Sequence, residues 1–412
     1  MSAVATSRSR HLRLVRPSEL VRPNARSRAS TRRTVVLLLG STAFLTVAGL
    51  IMVLSASSVS AFAQHGDSFR YFQRQGTYAV IGVGALWLTS RMRYDVWRTL
   101  ALPFLVVTVA MLGLVLSPSA GIEAYGSSRW FQLGPVTVQP SEIAKLALVV
   151  FTAAVAARKW GRLDDLGHLI VPIAPVALLV GGMVMLQPDL GTTVILTASV
   201  LALLFAAGVR LRYLSVAGLV ASVAALGLIM SVDYRRIRFL SFLHPWEDVR
   251  NTGYQLAQSL IALGSGGLTG VGLGASRQKW QYVPNAHTDF IFSILGEELG
   301  LVGEVVVLLA FGALVFAGVR IAAQARDVFG RLLAAGIVSW FTVQTLVNLG
   351  AVTGLLPITG VPLPFLSYGG SSLVVSLAAV GILVNIATAP GGRGRRPATR
   401  TDSVAPRPRR RS

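Results

Sequence analysis

The chain contains no cysteine. Disulfides, thiol nucleophiles and Cys-ligated metal sites are thereby excluded. Charge of either sign is scarce, at 13% of residues, where soluble globular chains carry about 25%. Acid is the scarcer sign, with 17 Asp and Glu against 38 Lys and Arg. Lysine is nearly missing, represented only by Lys145, Lys159 and Lys279. In so Arg-biased a chain a retained Lys is a cue to chemistry, because an ammonium can shift its pKa and a guanidinium cannot. The five histidines (His11, His65, His168, His244, His287) are scattered and form no His-x-x-x-His pair. What remains is apolar: 53% of the 412 residues are hydrophobic. The composition is that of an all-α polytopic membrane protein. The net charge of +21 does not point to nucleic acid. Much of it lies in the two tails and most of the rest beside apolar runs, as in cytoplasmic anchoring and attraction to anionic headgroups.

About ten spans near the roughly 20 residues a bilayer requires can be traced. They are Thr34–Ala56, Gln73–Thr89, Leu100–Leu116, Ser141–Ala157, Leu169–Leu186, Thr192–Gly208, Leu214–Val232, Asp289–Val319, Phe329–Leu349 and Ser371–Ala387. The eighth exceeds one perpendicular span, so it is expected to tilt or to extend past the membrane. Arg91, Arg93 and Arg98, then Arg158, Lys159 and Arg162, then Arg210 and Arg212, then Arg320, Arg326 and Arg331, all fall on one side if the count holds. That places both termini in the cytoplasm. Residues 34–389 then form one transmembrane domain. Residues 1–33 and 390–412 read as disordered basic cytoplasmic tails. A large extracytoplasmic loop, residues 232–286, joins the seventh and eighth spans.

Polar motifs gather on the outer side. Pro284–Gly300 opens with a helix stop and carries His287, Thr288 and Asp289 where a long apolar helix meets water. Glu297, Glu298 and Glu304 follow on the same helix. A carboxylate deep in a bilayer costs about 2.5–3.5 kcal/mol, so each needs a site or a partner. Asp289 also suits a helix N-cap, a role compatible with catalysis. Glu142 and Lys145 stand three apart on one helix face and can pair. Gln187-Pro-Asp-Leu-Gly-Thr192 reads as a tight turn. The long loop holds Arg235, Arg236, Arg238 and Lys279 around a Gly-rich run, Gly264–Gly274. Basic groups and Gly amides near a membrane surface suit a pyrophosphate headgroup. Pro357–Ser372 is uncharged, rich in Pro and Gly, and apolar enough to be re-entrant, which requires shielding by protein or a cavity.

These motifs, in order, resemble the SEDS family (shape, elongation, division and sporulation). The match covers Arg33–Ala389 through Arg129-Trp130, Gln139-Pro-Ser-Glu-Ile-Ala-Lys145, Gln187-Pro-Asp-Leu-Gly-Thr192, Gly270-Val-Gly-Leu-Gly274, Ala286-His-Thr-Asp-Phe-Ile-Phe292, Gly296-Glu-Glu-Leu-Gly300 and Pro362-Leu-Pro-Phe-Leu-Ser-Tyr-Gly-Gly-Ser-Ser372. Ala286 before the His resembles the FtsW branch, where RodA members often carry Arg. The resemblance implies a peptidoglycan glycosyltransferase that polymerises undecaprenyl-pyrophosphate-linked lipid II outside the bacterial cytoplasmic membrane. It also implies a class B penicillin-binding protein as partner and, for the FtsW branch, other division proteins at the septum. The family's key catalytic Asp maps onto Asp289, and its Glu and Lys onto Glu142 and Lys145. Arg129, His287 and Ser371 lie inside matched motifs and are expected to bind substrate. Arg238 and Lys279 are candidates by location.

The chemistry is compatible. A sugar 4-hydroxyl needs a general base, and a departing diphosphate needs cations from Arg, Lys or a divalent ion such as Mg or Mn. A RodA-like elongation polymerase, a lipid II flippase and a recruiting scaffold are the competing readings. A flippase would need polar groups through the whole bilayer, whereas the motifs here gather toward one side.

Overall fold

The computed structural model describes residues 25–117, 122–124, 127–134, 136–160, 166–280, 282–284 and 286–389. Residues 1–24 and 390–412, most of the two expected tails, lie outside them. Helices α1 (Ala25–His65), α2 (Arg70–Arg91), α3 (Asp95–Val115), α4 (Pro140–Arg158), α5 (Leu166–Leu186), α6 (Leu190–Ala206) and α7 (Leu211–Met230) cover the first seven expected spans, α2 to α7 within about five residues and α1 overrunning its span by nine residues at each end. Two shorter helices, α8 (Asp233–Leu240) and α9 (Tyr254–Gly266), order the long loop. Then α10 (Ile291–Gln324), α11 (Val328–Val352) and α12 (Gly370–Thr388) supply the last three spans. Seven of the helices are long and apolar enough to cross a membrane by length and composition; α5 and α6 contribute shorter apolar stretches.

Exposed apolar side chains on α2, α3, α5, α7 and α10, such as Val80, Val106, Leu178, Leu219 and Leu309, face outward. That pattern suits a hydrocarbon solvent. The centre is α4, whose apolar residues are almost all buried, packed by α3, α6 and α11. Elsewhere α12 lies along α2, and α1 along α10.

Three features differ from the expectations. Helix α1 starts at Ala25, inside the segment read as a disordered tail. Extending an existing helix back through Ala and Arg, both good helix formers, avoids the cost of a new nucleus. At about 1.5 Å per residue its 41 residues outrun the bilayer. Second, an antiparallel sheet β1 (Ile122–Ala124), β2 (Ser127–Leu133), β3 (Val136–Val138) fills the loop after α3, so the fold is helical with one small meander.

Third, the over-long eighth span is broken rather than simply tilted. Gly300 sits at φ 64°, ψ −168°, inside α10. The freed main-chain groups pair with the Gly-rich run after α9. Val271 N–H donates to Glu297 O (3.0 Å) and Gly272 N–H to Glu298 O (3.0 Å). Across the break, Leu301 N–H donates to Gly267 O (2.9 Å) and Val302 N–H to Leu268 O (3.1 Å). The glycines permit this approach, since a Cβ on Gly300 would stand 2.6 Å from Leu268 main chain.

The second half of the segment between α11 and α12, residues 361–367, is non-helical yet largely buried, with Val361, Leu363, Phe365 and Leu366 among the least exposed residues. It is shielded by protein, as non-helical backbone at membrane depth requires. Gly49 of α1 admits it, because a Cβ there would meet the Phe365 and Leu366 carbonyls at 2.6 and 2.7 Å.

Gly300→Ala should therefore destabilise the fold, by about 1–3 kcal/mol for a side chain in a backbone region open essentially only to glycine, plus a main-chain clash. Gly312→Ala, also in α10 but with open space around it, should be neutral. Thermal unfolding in detergent compares them, and equal midpoints would contradict the bracing role of the break.

Candidate active site

The outer motifs converge on one end of the bundle. Tyr71, at the start of α2, packs its ring 4.8 Å from His287 and 5.2 Å from Tyr368, and His287 lies 5.4 Å from Tyr368. Tyr368 N–H donates to His287 O (2.9 Å). This ties the loop before α10 to the loop before α12. Burial pushes the His287 imidazole down to about 4. Burial thus favours the neutral ring, packed against Tyr71 and Tyr368.

Asp289 lies two residues on and is partly buried. Helix α10 begins at Ile291 with Phe290 at its N-cap, so Asp289 stands just before the cap position the sequence suggested. Thr288 Oγ1 donates to its Oδ1 (2.9 Å). Its carbonyl accepts from Asn348 Nδ2 (2.8 Å). Its Oδ2 lies 3.9 Å from where a Cβ on Gly360 would stand, so the 357–369 segment runs directly beside the carboxylate.

Glu142 and Lys145 do pair, at 2.8–2.9 Å. Both are buried, with 2% and 1% exposure. The Lys145 ammonium also donates to Gln344 Oε1 (2.8 Å) and lies 5.3 Å from the Trp340 ring centre. Its charge is thus spent inside the bundle. Gln344 passes the connection on, since its Nε2 donates to Pro362 O (2.8 Å). The pair braces the loop beside Asp289 and in this conformation does not open onto it.

The other expected binding groups are also engaged. Arg129 on β2 donates to Gln187 O (2.7 Å) and Pro188 O (2.9 Å), clamping the α5–α6 turn. Asp189 in that turn caps α6 through Thr192 N–H (3.0 Å). Ser371 accepts from Gln139 N–H (3.0 Å) and donates to Thr137 O (3.0 Å), holding β3 to α12. Lys279, 7% exposed, donates to Gly274 O and lies 3.8 Å from Glu298. Ser55 of α1 also holds Glu298, at 2.6 Å. Glu297 accepts from Ser276 Oγ and from Arg277 N–H (2.9 Å). The side chain of Arg238, which falls on α8, lies outside the described residues.

The sequence reading missed Gln344 and Asn348, polar amides inside an apolar span, a placement that itself signals function or bracing. It also missed Arg74, an exposed cation at the same end, whose Nη2 donates to Thr137 Oγ1 (3.2 Å) and which lies beside the Tyr368 phenol. Among the described residues no three His, Asp or Glu side chains cluster to hold a metal. Asp289 supplies a single carboxylate there.

Removing one partner of a buried ion pair costs about 3–5 kcal/mol, because the other charge is stranded. Lys145→Met alone should lower stability by that order, and Glu142→Gln with Lys145→Met should recover most of it. Unfolding midpoints of the purified variants check this; a double variant no more stable than the single one would contradict it.

The chain matches the family model described as "Cell cycle protein", for FtsW, RodA and SpoVE, over residues 35–390. It is 45% identical over 357 residues to a probable peptidoglycan glycosyltransferase FtsW of Geobacter sulfurreducens, covering 87% of this chain and 95% of that protein. It is 43% identical over 351 residues to the stage V sporulation protein E of Bacillus subtilis, covering 85% and 96%. Its fold is similar to a chain in a solved peptidoglycan synthase complex, with TM-score 0.71, 29% identity, and coverage of 85% and 96%. It is likewise similar to the rod shape determining protein RodA of Thermus thermophilus, with TM-score 0.63, 29% identity, and coverage of 85% and 95%. With a match spanning nearly all of the membrane-embedded chain, this protein belongs to the FtsW/RodA/SpoVE family.

Proposed function

We propose that the chain is a peptidoglycan glycosyltransferase that polymerises lipid II at the outer face of the cytoplasmic membrane, with Asp289 as general base. The observation that carries this reading is one carboxylate held at the end of the bundle where the polar motifs converge. The acceptor's 4-hydroxyl oxygen attacks the anomeric carbon of the donor. The bond from that carbon to the diphosphate oxygen breaks, and the α linkage becomes β by single displacement. Asp289 takes the hydroxyl proton, and undecaprenyl pyrophosphate leaves. General-base catalysis of this kind contributes about 10²–10⁴-fold.

The leaving diphosphate needs positive charge. Lys145 and Lys279 are committed to Glu142 and Glu298, which leaves exposed arginines of this end, Arg74 first, as the groups we favour. Mg or Mn, where used, would arrive on the diphosphate itself, since Mg is commonly held by one or two carboxylates plus substrate phosphates. Both termini face the cytoplasm in this reading, following the Arg-rich loop ends. A class B penicillin-binding protein is the partner that crosslinks the strands, in keeping with the likeness to a chain of a peptidoglycan synthase complex. The FtsW-named relatives favour septal synthesis in cell division over elongation.

Purified protein with its penicillin-binding partner and lipid II tests the assignment. Asp289→Asn should cut glycan strand formation by at least about 100-fold while partner binding persists. Strands of wild-type yield from that variant would remove Asp289 from the chemistry.

A further inference from the structure

Helix α11 presents Trp340, Gln344 and Asn348 at successive four-residue steps, hence on one face. All three are buried, at 0%, 0% and 1% exposure. Asn348 makes an unusual pair of bonds. Its Nδ2 donates at 2.8 Å to the carbonyl of Asp289 and at 2.8 Å to the carbonyl of Val361. Two carbonyls around one atom require that atom to be nitrogen, because an amide oxygen cannot donate. One side chain thus bridges the main chain of the proposed base to the segment that runs beside its carboxylate. One turn earlier, Gln344 ties the next carbonyl of that segment, Pro362 O, while its own oxygen accepts from Lys145 and, at 2.7 Å, from Trp340 Nε1. A continuous polar ladder therefore runs from Glu142 through Lys145, Gln344 and Pro362 to Val361, Asn348 and Asp289.

We infer that Asn348 is a positioning residue for glycan polymerisation, and that Gln344 is its second anchor. Together they set where the Asp289 carboxylate stands relative to the 357–369 segment. This rests on the reading of Asp289 as the base. Neither amide touches substrate. Their effect passes through main-chain atoms, where a shift of about 1 Å at a reacting group can cost on the order of 100-fold in rate. The Tyr368 to His287 main-chain bond joins the same two loops further along. It keeps them together when one amide is removed, so the loss should fall on registry before it falls on folding.

The test measures kcat and KM for lipid II, with the partner protein present, in Asn348→Ala, Asn348→Asp, Gln344→Met and Asp289→Asn. The Asn348 variants should lose about 10–100-fold in kcat, with KM near wild type, since no substrate contact is removed. Gln344→Met should lose kcat in the same selective way. It also decides the matter if the Asn348 variants fail to fold. Wild-type kcat in Asn348→Ala or, failing that, in Gln344→Met, with Asp289→Asn inactive, would overturn the positioning role and leave the base in place. Losses shared by kcat, KM and thermal stability would overturn it as well, by showing a general structural role. Full activity in Asp289→Asn would overturn both readings at once.

Discussion

Main chain that leaves helical geometry inside a membrane protein must find its hydrogen bonds within the protein. That demand shapes this molecule. It is met in two places by two different means. At Gly300 the broken α10 borrows pairing from the glycine-rich segment after α9. Between α11 and α12, side-chain amides do the work: Gln75 serves Ser367 and Gly369, Gln344 serves Pro362, and Asn348 serves Val361 and Asp289. The second arrangement lets a rigid helical scaffold hold an irregular loop against a carboxylate. A site needs such support if its geometry is to be reproducible.

The electrostatics follow the same logic. Buried carboxylates are expensive, and the deepest glutamates among the described residues are partnered. Glu142 has Lys145, Glu298 has Lys279 and Ser55, and Glu297 has Ser276 with two main-chain N–H groups. All but Lys159 of the scarce lysines are thereby absorbed into structure. Asp289 differs in standing at the edge, partly exposed, with its carboxylate held by its neighbour Thr288 and its carbonyl by Asn348. A carboxylate at the rim and lysines paired in the interior would give the proposed site a shape fixed before substrate arrives.

Much of this was legible in the sequence. The ten apolar runs became helices, because twenty apolar residues in hydrocarbon have few alternatives. The motifs marked as outer do assemble at one end. Asp189 behaves as the turn former its Pro-Asp-Leu-Gly context suggested. The break at Gly300 was less visible, since a lone glycine is common in membrane helices and length alone fits tilt equally well. Spacing showed that Glu142 and Lys145 can meet, but not that the pair is sealed from the surface; that depends on α11, two hundred residues away. Arg129, Lys279 and Ser371, read as ligand groups, are tied in this conformation to main-chain and carboxylate partners. Residue type reports donors and charge, while only packing reports where they are already spent. Gln344 and Asn348 carried a signal in principle, as amides in an apolar span, yet nothing local identifies their distant carbonyl partners.

The central claim is that one carboxylate at the rim takes the proton of the attacking sugar hydroxyl. A structure of the protein with its crosslinking partner and two lipid II molecules, or a non-reacting donor analogue beside a true acceptor, tests it most directly. An Asp289 oxygen is expected within about 2.6–3.2 Å of the acceptor 4-hydroxyl, with Asn348 still bridging Asp289 and Val361. A well-ordered acceptor whose hydroxyl faces a different carboxylate or imidazole, with Asp289 turned away, would contradict it.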